Sequence, residues 1–148
     1  MAEKSFLDRA AEYTYKELER LGGDPAKLDL PQQTVAILYS VQAIVDNGGF
    51  QYLFENDFPH DPPYSKFVEA YRRIGADQAA ERLEKAVAMF PFEKPHLHQD
   101  QRLNFMEALE EESEFFELGN EVCGDEKVWT DLEAYAKTNA ASFPVSVN

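Results

Sequence analysis

Four places in the 148-residue chain carry side chains whose types and spacing could do chemistry. The first is Asn47-Gly48-Gly49-Phe50-Gln51-Tyr52-Leu53-Phe54-Glu55-Asn56. Gly48 and Gly49 permit positive φ and close backbone approach, and Asn47 tolerates the left-handed region and bonds to nearby backbone. With neither GxGxxG nor GKS/T, the stretch is not a phosphate loop. It reads as a helix–helix corner that drives Phe50, Leu53 and Phe54 into the core. The alternative is a small ligand or partner loop built on Asn47, Gln51 or Asn56. The second place is His96-Leu97-His98 with Asp100, half of a metal site in kind. The remaining ligands are not evident; His60 and Asp61 are the nearest candidates in kind. There is no HExxH and no pair of ExxH motifs of the di-metal kind, so the histidines are expected in an exposed loop and no metal is expected. The third is Cys123, a lone cysteine with no adjacent base to lower its pKa. It is expected to pack or to be an idle thiol. The fourth is the set of glutamates. Paired carboxylates can serve as acid and base, as in glycosidases, but here no two stand out from the rest. No Ser–His–Asp arrangement can be nominated. The expectation is a protein without catalytic residues and without a cofactor.

The glutamates are not evenly spread. Residues 107–133 hold eleven acids and one base, Lys127, a net −10 out of −14 for the whole chain. Glu110, Glu114, Glu117 and Glu121 recur at helical spacing and would form a ridge if one helix ran through them. Glu107, Glu111 and Asp125 extend that candidate partner-binding surface. Wholly helical, 27 residues would span ~40 Å, and ten charges over that length approach the ~3.4 Å spacing of one DNA strand. Like charges at i,i+4 cost a few tenths of a kcal/mol per pair, so neutralising them would raise stability slightly. A solvated helix face that keeps the protein soluble is the plainer reading of the same residues.

These residues must be positioned by helices. Ser5 suits an N-cap for a first helix to Leu21, with Leu7, Ala11, Thr14 and Leu18 on one stripe. A second helix, about 31–46, is apolar nearly all round from Val35 to Val45, the mark of a central helix covered on several sides. After the Gly pair a short helix runs from Phe50 to about Glu55. Further helices are expected over Tyr64–Ile74, Asp77–Phe90, Gln99 to about Leu118, and Asp125–Asn139. No segment keeps a strand period. The prediction is an all-α, single-domain bundle of about six or seven helices around the central apolar one, spanning residues 1–148.

Composition bounds the function classes. Apolar residues make up 44% and aromatics 13%, enough for a core and too many for a disordered acidic tail. No apolar run approaches a membrane span, and Met1-Ala2-Glu3-Lys4-Ser5 opens without a signal-peptide apolar region, so a cytoplasmic protein is expected. With 28 acids against 14 bases, direct binding to nucleic acid or anionic lipid is disfavoured; basic protein surfaces and cations are the natural electrostatic partners.

The stretch DNGGFQYLFEN, residues 46–56, resembles the signature of a bacterial family of small acidic helical domains, mostly uncharacterised and represented by a DNA-mimic protein. The resemblance continues through the preceding apolar helix, the EAYRRIGADQAAERLEKAVAMF helix pair and the C-terminal Trp/Leu/Tyr helix, about residues 30–143. It implies an all-α fold, no known catalytic centre, and an acidic surface that occupies the DNA-binding face of a basic regulator, with homodimerisation as a further option. Only Asn47, Gly48, Gly49 and Phe50 match a motif, and their implied role is structural. Three functions follow for test: a DNA-mimicking binding protein, a helical adaptor or immunity-type inhibitor that does not imitate DNA, and an enzyme or small-ligand domain centred on residues 47–56.

Overall fold

The computed structural model describes residues 4–145. Residues 1–3, which open the N-terminus considered above, and residues 146–148 lie outside that range. Seven α-helices follow one another: α1 Phe6–Arg20, α2 Leu30–Glu55, α3 Tyr64–Arg73, α4 Asp77–Ala88, α5 Gln99–Glu107, α6 Glu114–Val122 and α7 Glu126–Thr138. No strand occurs among the described residues. The all-α bundle read from the hydrophobic periodicity is therefore the fold.

Local chemistry explains where the first two helices begin. At α1, Ser5 Oγ accepts from the Asp8 amide while the Asp8 carboxylate accepts from the Ser5 amide. This reciprocal box satisfies donors that a helix start leaves open. Asp29 and Gln32 repeat the arrangement at α2, with Pro31 in the first turn, where its missing N–H costs nothing.

α2 is the central element. It packs against α1, α3, α5, α6 and α7, which is why its apolar residues run round the whole helix. Val35, Leu38, Val41 and Val45 are buried on its first half and Phe50, Leu53 and Phe54 on its second. Phe54 sits among Tyr64, Phe90 and Phe115, with ring centroids 5.0, 5.0 and 5.5 Å away.

One helix expected from the pattern is two. The stripe over Leu103, Met106, Leu109 and Phe116 predicts a helix from Gln99 to about Leu118, but α5 ends at Glu107 and α6 starts at Glu114. A helix C-terminus carries partial negative charge and its N-terminus partial positive charge. Continuing α5 would stack Glu110, Glu111 and Glu112 towards its negative end. Restarting the helix with Ser113 as N-cap instead places Glu114 and Glu117 in a first turn, where the dipole favours them.

Candidate functional site

The Asn47–Phe50 corner positions the acidic segment. The helix is interrupted at Gly48 (φ −171°, ψ 22°) and Gly49 (φ 67°, ψ −161°), and only Gly49 needs the left-handed region that glycine enters freely. A Cβ at Gly48 would lie 2.3 Å from the Tyr52 ring. Asn47 Nδ2 donates to Ala43 O at 2.8 Å, closing the end of the first half of α2, and Asn56 Nδ2 donates to Tyr52 O at the end of the second. Two of the three polar residues of the alternative ligand-loop reading thus serve the backbone. Phe50 and Phe54 are almost fully buried.

The partner of this corner is Gly119, whose place in the sequence suggests only an interruption. A Cβ on Gly119 would sit 2.5 Å from Phe50 N and 2.8 Å from Phe50 Cγ. The backbone of α6 therefore lies directly on the corner; the missing side chain of Gly119 permits that approach, and Gly49 supplies the positive φ of the corner. Phe115, Leu118 and Val122 complete the buried face of α6.

A second anchor holds the turn between α6 and α7. Asp46 Oδ1 accepts from Gln42 Nε2 at 2.8 Å and from the Gly124 amide at 2.7 Å, and its Oδ2 accepts from Trp129 Nε1 at 2.8 Å. Gln42, itself fully buried, also donates to Val122 O at 2.9 Å and accepts from Tyr71 Oη at 2.7 Å. Burial raises the Tyr71 pKa, and the nearby negative charges of Asp46 and Asp125 add to it. Asp125 then caps α7, accepting from the Lys127 amide. Sequence pattern singles out neither Asp46 nor Gln42 as an anchor. The interior position of Gln42 in an otherwise apolar helix is the available signal.

The acidic residues divide by position. Glu107 ends α5, Glu110 and Glu111 lie on the turn between α5 and α6, Glu114, Glu117 and Glu121 lie on α6, and Asp125 precedes α7. Glu110 is thus off the helical ridge expected for it, because the helix is broken before it. Glu114, Glu117 and Glu121 share one exposed stripe of α6, beside the buried stripe of Phe115, Leu118 and Val122. Glu121 pairs with Arg82 of α4 at 2.6 Å, Asp131 with Lys127, and Glu133 with Lys137 at 3.3 Å. Among the described residues, Glu107, Glu110, Glu111, Glu112, Glu114 and Glu117 are exposed and have no ion-pair partner. The charge is consequently a folded patch across a turn and a short helix. It is not the straight 27-residue rod that the linear spacing suggests.

Of the other chemical candidates, His96 and His98 lie beside aromatic rings and Cys123 lies within the acidic segment, between Glu121 and Asp125. His96 lies edge-on to Tyr64 and His98 edge-on to Phe92. Partial burial lowers the His96 pKa, against an opposing pull from Asp61. Cys123 is exposed rather than packed, and its thiol donates to Asp46 O at 3.3 Å. Among the described residues no three His, Cys, Asp or Glu gather into a metal-sized group. No helix there is long and apolar enough to cross a membrane. A further residue that sequence pattern misses is Arg102, wholly buried. It donates to Phe54 O, Asn56 O and Pro95 O and pairs with Asp57 at 2.7 Å. It ties α5 to the end of α2.

The chain matches the family model described as DMP19-like protein over residues 26–139, and it belongs to that family. No curated protein and no solved structure matches it.

Proposed function

We propose that this member of the DMP19-like family is a non-enzymatic binding protein whose carboxylates take the place of DNA phosphates on a basic regulator. In this reading the helices act as one domain, and the exposed face from Glu107 through α6 to Asp125 is the contact surface. The observation that carries it is the run of six exposed glutamates, Glu107 to Glu117, without ion-pair partners among the described residues. An acidic surface kept only for solubility can be laced with its own lysines; this one holds its charge uncompensated, so a partner's Arg and Lys can meet it directly. The corner and the Asp46 anchor support the same reading. They fix α6 and the α6–α7 turn against the core, so the carboxylates are presented without first being ordered, which lowers the entropic cost of binding. Complementary charge speeds encounter and makes it salt-sensitive.

The test replaces Glu110, Glu114 and Glu117 together by Gln. These side chains point away from the core, so the fold is retained and the helical circular dichroism is unchanged. With each exposed pair contributing ~0.2–1 kcal/mol, capture of the basic partner from native lysate should weaken by about 3- to 100-fold at matched salt. Undiminished capture by the folded variant would remove this surface from the contact and favour an adaptor that does not imitate DNA.

A further inference from the structure

The corner motif does more than seat α6. It encloses one wall of a cavity of about 240 Å³ that opens on the acidic face, lined by Gly48, Gly49, Gln51, Glu111, Phe116 and Asn120. Three polar side chains converge there, and none of Gln51, Glu111 and Asn120 makes a side-chain hydrogen bond to another described residue. The other polar residues of the motif, Asn47 and Asn56, are both spent on backbone carbonyls. Asn120 Oδ1 lies over Gly49, 3.4 Å from where a Cβ would be.

We propose that this cavity is a socket for one arginine side chain of a basic partner. Its chemistry selects that group. Glu111 offers a carboxylate that accepts two parallel N–H bonds from a guanidinium. Phe116 offers an aromatic ring against which a planar cation can stack. The amide oxygens of Asn120 and Gln51 can accept the remaining donors. A lysine ammonium has three donors and no flat face, so it uses less of this lining. An anion would face the Glu111 charge, and a metal would find a single carboxylate. The volume is below the ~300–1,000 Å³ usual for small-molecule sites, and suits a side chain delivered by another protein. The inference rests on the reading of this face as a contact surface for a basic protein, and it names the group that anchors the contact. The Gly-Gly motif thereby gains a second role, that of shaping a specific site beside a diffuse field of charge.

The probe is the blocked tripeptide Gly-Arg-Gly, with Gly-Lys-Gly of equal charge as the comparison, titrated to about 20 mM into the full chain and followed by amide resonances. The Arg peptide should move the Gly48 and Gly49 backbone amides and the side-chain amides of Gln51 and Asn120 together, with saturation. The Lys peptide should move them at least about threefold less. Glu111→Gln, an exposed substitution that leaves the spectrum of the fold intact, should weaken Arg binding about tenfold, while Glu117→Gln on the same face should weaken it less than threefold. Equal shifts from both peptides, shifts scattered over the whole acidic face, or no shift at the corner at the highest concentration would overturn the socket. The capture experiment with Glu110, Glu114 and Glu117 spares Glu111, so it can succeed while this one fails.

Discussion

At the scale of the residue, a few buried and half-buried polar groups carry the positioning. Asp46 accepts three hydrogen bonds, from Gln42, Gly124 and Trp129. Asp46→Ala would leave the buried Gln42 and half-buried Trp129 donors without that acceptor, and donors left unsatisfied away from water cost ~1–3 kcal/mol each. The urea midpoint should fall by the equivalent of about 2–4 kcal/mol, with a shift in Trp129 emission; an unmoved midpoint would show that the anchor is not stabilising. Tyrosines give a second residue-scale prediction. Burial, helped by Asp8, pushes Tyr39 up to about 12 from 10.0, and burial pushes Tyr64 up to about 12. Above about pH 10 the unfolded chain releases these protons while the folded chain keeps them, so this contribution to stability is fully present below about pH 10 and lost as pH rises towards about 12. Thermal midpoints should decline across that window, and Tyr39→Phe should flatten the decline. The buried polar residues were the least legible ones. Periodicity marks apolar faces, and half-buried Asp46 and fully buried Gln42 and Arg102 break the rule that polar side chains face water. Their burial depends on partners far along the chain, such as Asp57 for Arg102, 45 positions away, and Trp129 for Asp46, 83 positions away.

At the scale of the element, sequence pattern located most helices within a few residues, because α1, α3 and α4 each bury one stripe and α2 buries nearly its whole circumference. The Gly pair marked the corner in α2, since Gly49 needs positive φ. The break between α5 and α6 was hidden. Leu109 continues the apolar stripe and glutamates are good helix formers, so nothing local forbids one long helix; the interaction of the acids with the helix ends favours the break. That break reverses the sign of one expectation. Neutralising Glu114 would relieve repulsion in a continuous helix, but Glu114 stands in the first turn of α6, where a negative charge stabilises by ~0.3–1 kcal/mol. Glu114→Gln should therefore lower stability by about that amount at low ionic strength, and the loss should shrink in high salt. A denaturation midpoint that rises in the variant would restore the continuous-helix picture of the charges.

At the scale of the whole molecule, a core of leucine, valine and aromatic side chains holds a surface of very uneven charge. The net −10 of residues 107–133 was visible in the sequence, but its shape was not. Folding turns a linear charge density into a patch that bends from α5 through a turn onto α6, with Glu121 and Asp131 partly neutralised by Arg82 and Lys127. The unpaired part of the patch is the part proposed to meet a basic protein, and exposed charges of this kind are screened beyond ~8 Å at physiological ionic strength. Competition with DNA tests that proposal most directly. The basic partner is captured on the immobilised protein at low salt, and duplex DNA of mixed sequence is then added. Imitation of DNA predicts that duplex releases the partner in proportion to its concentration, and that partner already loaded with duplex is not captured at all. A partner that stays bound at saturating duplex, with DNA and this protein held together in one complex, would contradict the account.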